Sequence, residues 1–321
     1  MNRLKKFRAL VLLVIVSSLL SVNVGVANPK EKTPLPKGTP VLWRMPGDIT
    51  SRNLRNGPGG TEMSPDLSRI TFLKEEKGGY SRKFKVRDGS GREWVAKIGK
   101  EAQPETAAVR LLWGIGYLTE VNYLVPRVNI PGKGTFENVR FEARPEGWKR
   151  VQEWKWERNP FVGTPEFQGL KIMMALINNW DLKDSNNQIV YRKDNNELEY
   201  IISDLGATFG HASTTPLFWR FTRSRNSPTN YAKAEFIEKV KRDRVVIHYG
   251  GKNRGLFNNI TVQDAVWIAG LLSQLSDAQV QDAFRAANYT PSQIDLLTRT
   301  FRARCNALSS LRPNIRISKN R

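Results

Sequence analysis

Apolar and polar side chains alternate in three short stretches that follow one another closely from residue 69 onward. The stretches are residues 69–73, 82–87 and 93–98, and alternation over this length is typical of half-buried β-strands. Gly78-Gly79 separates the first two stretches, and a turn at residues 88–91 with the sequence Asp-Gly-Ser-Gly separates the last two. The pattern therefore predicts a three-stranded antiparallel meander.

A helix and two further strands complete a predicted small lobe over residues 64–145. Pro104 and Glu105 lead into apolar residues at helical spacing, and Gly116 ends that run. Residues 123–128 and 135–142 alternate again and indicate two more strands. The small lobe should thus be a five-stranded antiparallel sheet with one helix.

Residues 146–321 are predicted to form a second, mainly helical lobe. A polar loop at residues 180–187 precedes a predicted hairpin, and helix-capping residues recur on either side of these elements. Serine or threonine just before an apolar run favours a helix start, as does proline at the first helical position. The predicted helix starts are Thr164-Pro165, Thr261, Ser276 and Thr290-Pro291. The fold class is therefore α+β, with two lobes.

The first 27 residues have the three parts of a secretory signal peptide. A basic start is followed by an apolar run from Ala9 to about Leu20 and by the small residues Gly25-Val26-Ala27. A membrane anchor is the alternative, but the apolar run is shorter than the roughly 20 residues that a spanning helix needs. We therefore expect a protein exported to the periplasm or the medium, with no transmembrane anchor after cleavage. Residues 28–63, rich in proline and glycine, are predicted to be an extended arm.

The composition of the chain argues against several kinds of functional site. The formal charge of +21 attracts polyanions without choosing among them, and no RNA-binding aromatic signature accompanies the basic residues, so sequence-specific nucleic-acid binding is not expected. A single cysteine, Cys305, excludes an intramolecular disulfide, and His211 and His248 are the only histidines, so a zinc site is not expected. The absence of a G-x-S-x-G sequence argues against a serine hydrolase.

The remaining polar candidates occur in an order that suits phosphoryl transfer. That reaction requires a cation on the phosphates, oxygen ligands for a divalent metal and a group that orients the attacking oxygen. Lys97 lies on the third predicted strand, and Glu105 begins the following helix. Asp181 and Asn186 lie in the polar loop, and Asp204 follows the predicted hairpin beside a glycine.

This order of a strand lysine, a helix glutamate, a DLKxxN loop at residues 181–186 and a DLG sequence at residues 204–206 resembles the protein-kinase fold. The resemblance covers nearly all of residues 64–305. The helix at residues 105–117 is similar to that of atypical kinases related to HipA and to the secretory-pathway kinases. The resemblance implies ATP and Mg²⁺ or Mn²⁺ as cofactors and transfer of a phosphoryl group to a hydroxyl.

The chain departs from ordinary kinases in three places. Only Gly78 and Gly79 stand where those kinases have GxGxxG, and Asn179-Trp180 replaces the His-Arg pair before the catalytic aspartate. No Ala-Pro-Glu sequence closes the segment after Asp204. An ordinary regulated eukaryotic-type kinase is therefore not expected.

The resemblance assigns three kinds of site residue. The catalytic pair is Asp181 and Lys183, the nucleotide-binding residues are Gly78, Gly79, Ser81, Lys97 and Glu105, and the metal ligands are Asn186 and Asp204.

Two functions remain open. One is a kinase that acts on a hydroxyl-bearing substrate outside the cytoplasm. The other is a kinase-fold protein without turnover that holds an anionic ligand or partner in a basic cleft. Asp181 and Asn186 could also serve only to stabilise their loop through bonds to the backbone. Because truncating a side chain at a cleft surface costs little stability, Lys97→Ala is expected to weaken nucleotide binding and to leave the fold nearly intact.

The signal peptide leads to the first testable prediction. Secreted protein should begin near Asn28, because cleavage after a small-residue sequence such as Gly25-Val26-Ala27 removes the apolar run. N-terminal sequencing of material recovered from the periplasm or the medium measures this directly. A first residue of Met1 in that material would refute the prediction.

Overall fold

The computed structural model describes residues 34–78, 81–215 and 222–312, so the predicted signal peptide lies outside the described residues. In chain order, the strands are β1 Thr39–Val41, β2 Thr71–Glu76, β3 Arg82–Arg87, β4 Glu93–Ile98, β5 Asn122–Ile130, β6 Gly134–Ala143, β7 Trp148–Gln152, β8 Asn187–Arg192, β9 Glu197–Ile202, β10 Ile237–Lys241 and β11 Arg244–Ile247. The α-helices are α1 Ala102–Gly114, α2 Pro165–Leu176, α3 Pro228–Lys233, α4 Val262–Leu272, α5 Asp277–Ala286 and α6 Pro291–Ser309.

The five-stranded sheet of the small lobe has the order β2-β3-β4-β6-β5 and is antiparallel throughout. Strands β3 and β4 have the bounds that the alternation predicts. One face of the sheet is apolar and includes Phe84, Trp94 and Phe141, all fully buried. The opposite face is charged, because successive side chains of a strand point to opposite sides. The sheet therefore has one face for stability and one for a polar site.

A second sheet, of order β1-β9-β8-β7, joins parts of the chain that are far apart in sequence. The hairpin β8-β9 was predicted, whereas β1 and β7 were not. Strand β1 pairs in parallel with β9, from Thr39 opposite Glu197 to Val41 opposite Glu199. Because the partner of β1 is about 160 residues away in sequence, no local pattern could have indicated this pairing.

Residues 34–63, the N-terminal segment, correct the expectation of an extended arm. Leu42, Ile49 and Leu54 are buried in the main hydrophobic core. The side-chain amide of Gln279 in α5 donates hydrogen bonds to the backbone oxygens of Ile49, at 2.8 Å, and Arg52, at 2.9 Å. The segment is irregular but packed, since Leu42, Ile49 and Leu54 enter the core although they are spaced without a period.

Four helices of the second lobe, α2, α4, α5 and α6, begin at the predicted residues, whereas α3 was not predicted. Thr164 accepts a hydrogen bond from the N–H of Phe167 at 3.2 Å, and Thr261, Ser276 and Thr290 each form a capping box. The architecture is thus a five-stranded antiparallel lobe with one helix, followed by a mainly helical lobe. This confirms the two-lobed α+β fold that the kinase resemblance implies. Within the described ranges, no helix has the length and apolar character needed to span a bilayer.

The burial of the N-terminal segment leads to a stability prediction. Leu54 is fully buried beside Gly114 of α1, so Leu54→Ala should lower the free energy of unfolding by about 2–5 kcal/mol through lost burial and a residual cavity. Urea unfolding of the full chain measures this change in the free energy of unfolding. Met45→Ala is the matched control, because Met45 lies in the same segment with 75% of its surface exposed and should change stability by less than about 0.5 kcal/mol. Equal effects of the two substitutions would show that the segment is not part of the core.

Candidate active site

Lys97 of β4 is buried among carboxylates. Only 4% of its surface is exposed, and its ammonium lies 2.9 Å from an oxygen of Glu105 and 3.1 Å from an oxygen of Glu101. Asp204, from the second lobe, approaches the same nitrogen to 3.7 Å. The predicted Lys97 to Glu105 pair is therefore present in the structure, and the carboxylate of the DLG sequence lies next to it.

The turn from β4 into α1 explains this geometry. Gly99, with φ of +120°, makes a sharp turn, and the N–H of Ala102 donates to its carbonyl oxygen at 3.1 Å. Glu101 caps α1 and Glu105 lies in its first turn, four residues later. Residues four apart share one helix face, so both carboxylates point back to the strand that carries Lys97.

Arg140 of β6 extends the buried charges across the sheet. Its guanidinium lies 3.3 Å from Glu105, 3.2 Å from Glu120 and 2.8 Å from Glu142. Burial raises the pKa of the Glu105 carboxyl above its ordinary value, and the charges of Arg140 and Lys97 oppose that rise. Together Lys97, Arg140 and these acids form a network that we call the buried ion-pair network.

The hairpin β8-β9 brings Asn186 and Asp204 to the same end of the second sheet. Asn187 is paired with Ile202 in the hairpin, and the N–H of Ser203 donates to the carbonyl oxygen of Asn186 at 2.8 Å. Asn186 and Asp204 both line a cavity of about 230 Å³ between the charged face of the small-lobe sheet and the loops of the second lobe. We call this cavity the cleft.

The pKa of Asp204 reflects its position beside Lys97. Burial alone would raise this pKa, but the charge of Lys97, a 3.2 Å hydrogen bond from the N–H of Gly206 and the charges of Arg140 and Lys183 outweigh burial. The pKa of Asp204 is therefore held below its ordinary value. The carboxyl is thus an anion at neutral pH, as a metal ligand must be.

Asp181 lies between two lysines. One of its carboxylate oxygens is 2.9 Å from the ammonium of Lys183, and the other is 2.8 Å from that of Lys252. The side-chain amide of Asn186 donates to the backbone oxygen of Asp181 at 2.7 Å. Asp181, Lys183 and Lys252 are not among the described residues that line the cleft, although the charge of Lys183 acts on Asp204.

The predicted glycine turn is only partly described. Gly78 has φ of +106° and open space around it, whereas Gly79 lies outside the described residues. Ser81 is buried, and its hydroxyl donates to Glu101 at 2.6 Å. In this structure Ser81 therefore holds a carboxylate that contacts Lys97, and its proposed contact with nucleotide stays a prediction.

The donor set suits a hard divalent cation. The described residues contain no group of three or more histidine, cysteine, aspartate or glutamate side chains that could hold a metal. Asp204 and Asn186 offer one carboxylate and one amide oxygen toward the cleft, and Mg²⁺ is usually bound by one or two carboxylates together with substrate phosphates and water. The site thus fits Mg²⁺ or Mn²⁺ bound jointly with a phosphorylated ligand.

Sequence reasoning missed several residues of this site. Glu101 could have been found, because it lies four residues after Lys97 at the start of a predicted helix. The sequence signal for Arg140 is weaker and consists only of its position in an alternating strand. Lys252 has none, because it comes from a loop about 70 residues beyond Asp181 that only the tertiary fold brings back. A fourth residue, Lys83, also lines the cleft.

A larger cavity, of about 490 Å³, lies elsewhere and is lined by none of the predicted site residues. Two of its arginines, Arg44 and Arg192, are already ion-paired with Glu199, at 3.2 and 3.4 Å. We place the candidate site in the smaller cleft, because that is where charged side chains from both lobes meet.

Two solved kinase structures are similar to this chain. The crystal structure of a Helicobacter pylori proinflammatory kinase, CtkA, has a TM-score of 0.49 and 10% sequence identity, over 78% of this chain and 99% of that chain. The Rio2 kinase-ADP/Mg²⁺-phosphoaspartate complex from Chaetomium thermophilum has a TM-score of 0.30 and 12% identity, over 74% of this chain and 72% of that chain. Both likenesses are distant. No protein-family model and no curated protein matches the sequence.

The burial of Lys97 changes the expectation for its truncation. Lys97→Ala would leave Glu101 and Glu105 buried without their shared cation, and removing one partner of a buried ion pair costs about 3–5 kcal/mol. We therefore expect a lower melting temperature as well as weaker nucleotide binding. Lys100→Ala, three residues away at an exposed position, is the control and should be nearly neutral. Equal melting temperatures for the two variants would contradict the buried ion-pair network.

Proposed function

We propose that this chain is an atypical, metal-dependent kinase that transfers the γ-phosphate of ATP to a hydroxyl group of its substrate. One observation carries the proposal. Lys97 and Glu105 of the small lobe meet Asp204 of the second lobe, and a carboxylate oxygen of each acid lies within 3.7 Å of the Lys97 ammonium nitrogen. Protein kinases require a strand lysine held by a helix glutamate, together with an aspartate that binds the metal, and the three side chains that meet here are of these types.

Each residue then has a defined task. Lys97 would bind phosphate oxygens, and Glu105 would hold its ammonium in place. Asp204 and Asn186 would hold Mg²⁺ or Mn²⁺, which when bound neutralises negative charge on the phosphates. Asp181 would accept a hydrogen bond from the acceptor hydroxyl and orient it, since a carboxylate with two ion-pair partners still has free lone pairs. Lys183 and Lys252 would keep that carboxylate oriented.

The finer parts of the proposal have narrower support. Action outside the cytoplasm rests on the predicted signal peptide alone, and the relation to HipA and the secretory-pathway kinases rests on the residues of α1. The alternative is a kinase-fold protein without turnover that binds an anionic ligand. The basic charge of the chain favours this alternative. Substitutions of Asp204 and Asp181 distinguish the binding protein from the enzyme.

Asp204→Asn and Asp181→Asn should have different effects. Asp204→Asn should abolish Mg²⁺-dependent ATP binding, because it removes the carboxylate that holds the metal in the ground state. Asp181→Asn should preserve binding and reduce transfer at least about 100-fold, because it acts on the nucleophile in the transition state. Binding is measured by thermal shift, where ATP at 100 times its dissociation constant adds about 2.7 kcal/mol, and transfer is measured with labelled ATP and an envelope extract.

Asp243→Asn serves as the control for this pair, since Asp243 lies in the second lobe with 67% of its side chain exposed. This substitution should change neither ATP binding nor phosphoryl transfer. Binding by the wild-type protein without any transfer would favour the alternative, and transfer that survives both site substitutions would end the kinase proposal.

A further inference from the structure

Three basic side chains form a row across the charged face of the small-lobe sheet. Lys83 of β3 is paired in register with Lys97 of β4, and Lys97 is paired with Arg140 of β6. All three side chains line the cleft. Like charges directly opposite each other on neighbouring strands are destabilising, so such a row needs compensating negative charge.

Two members of the row form ion pairs and the third does not. Lys97 and Arg140 contact the acids of the buried ion-pair network, at 2.8–3.3 Å. Lys83 forms no ion pair within the described ranges. Glu76 of β2 is its partner in register and lines the same cleft, yet it forms no ion pair with Lys83. Burial and the repulsion from Lys97 hold the pKa of Lys83 below its ordinary value, which an anion in the cleft would reverse.

The rest of the cleft is unusually polar for a site that must hold a purine. Its described lining includes Glu76, Arg144, Arg150 and Gln188, and Val95 is its only apolar side chain. Ligand pockets are usually lined mainly by hydrophobic and aromatic side chains. Stacking of a base on an aromatic ring contributes about 1–3 kcal/mol, and the described lining offers no such ring. The charged side chains that line the cleft are suited to binding phosphates.

We propose that the cleft binds its phosphoryl donor through the triphosphate chain, with Lys83 as a second phosphate-binding cation beside Lys97, and that the base contributes little. This inference rests on the proposed function and names the feature of the donor that the site recognises. The ligand class is a metal-bound triphosphate chain, with or without a nucleoside.

Three probes and two matched variants test the inference in the full chain. The probes are ATP, GTP and inorganic tripolyphosphate, each titrated with Mg²⁺ by calorimetry. Lys83→Met removes the uncompensated cation. Lys85→Met is the control, because Lys85 lies two residues away on the same strand and the same sheet face, but it is ion-paired with Glu93 at 2.5 Å and is outside the cleft lining.

The wild-type protein should bind the three probes with affinities within about fivefold of one another, since a stacked base would add about fivefold or more. Lys83→Met should weaken all three by about tenfold or more, the usual effect of losing a hydrogen bond to a charged group. The melting temperature without ligand should stay the same or rise, because a like-charge contact is relieved. Lys85→Met should leave all three affinities unchanged.

The possible failures are distinct. Tripolyphosphate binding that is more than about fivefold weaker than ATP binding would show that the base is recognised. Equal affinities in wild type and Lys83→Met would remove Lys83 from the site. Either result would overturn this inference and leave the proposed function standing. A lower melting temperature of Lys83→Met with unchanged affinity would make Lys83 a structural residue. No binding of any probe by the wild-type protein would overturn both proposals.

Discussion

The ammonium of Lys97, only 4% exposed, can be kept away from water only while its carboxylate partners stay in place. Those partners come from different elements, since Glu101 and Glu105 belong to the start of α1 and Asp204 follows β9. Any movement of α1 away from β4, or of the second lobe away from the first, would leave a buried charge without compensation. The same ion pairs therefore position the helix and the two halves of the candidate site.

The cost of burying so many charges argues for a function rather than for stability alone. Buried ion pairs contribute little net stability compared with apolar side chains of similar size, and the opposite face of the same sheet shows that this chain can build a close-packed apolar layer around Trp94. The charged face has been kept where two lobes meet at a cleft. Lys83 forms no ion pair within the described part of that row, and the proposed triphosphate ligand would supply the missing negative charge.

The N-terminal segment shows how a domain can depend on residues without regular structure. Leu42, Ile49 and Leu54 enter the core, and β1 adds a parallel strand to the hairpin that carries Asn186 and Asp204 at its end. The segment thus supports the sheet beneath the candidate metal ligands. Its irregular proline-rich pattern predicted an arm, because backbone propensity is local whereas burial depends on what the rest of the chain places nearby.

The sequence by itself determined the elements whose signals are local. Alternation gave the bounds of β3 and β4, capping residues marked four helix starts, and the order of Lys97, Glu105 and Asp204 predicted a group of side chains that the structure brings together. Only the tertiary structure decided the pairing of β1 with β9, the second lysine on Asp181 and the register that sets Lys83 opposite Lys97. The reason is physical: alternation and capping act over a few residues, whereas ion pairs and strand register join residues whose separation in the chain carries no local signal.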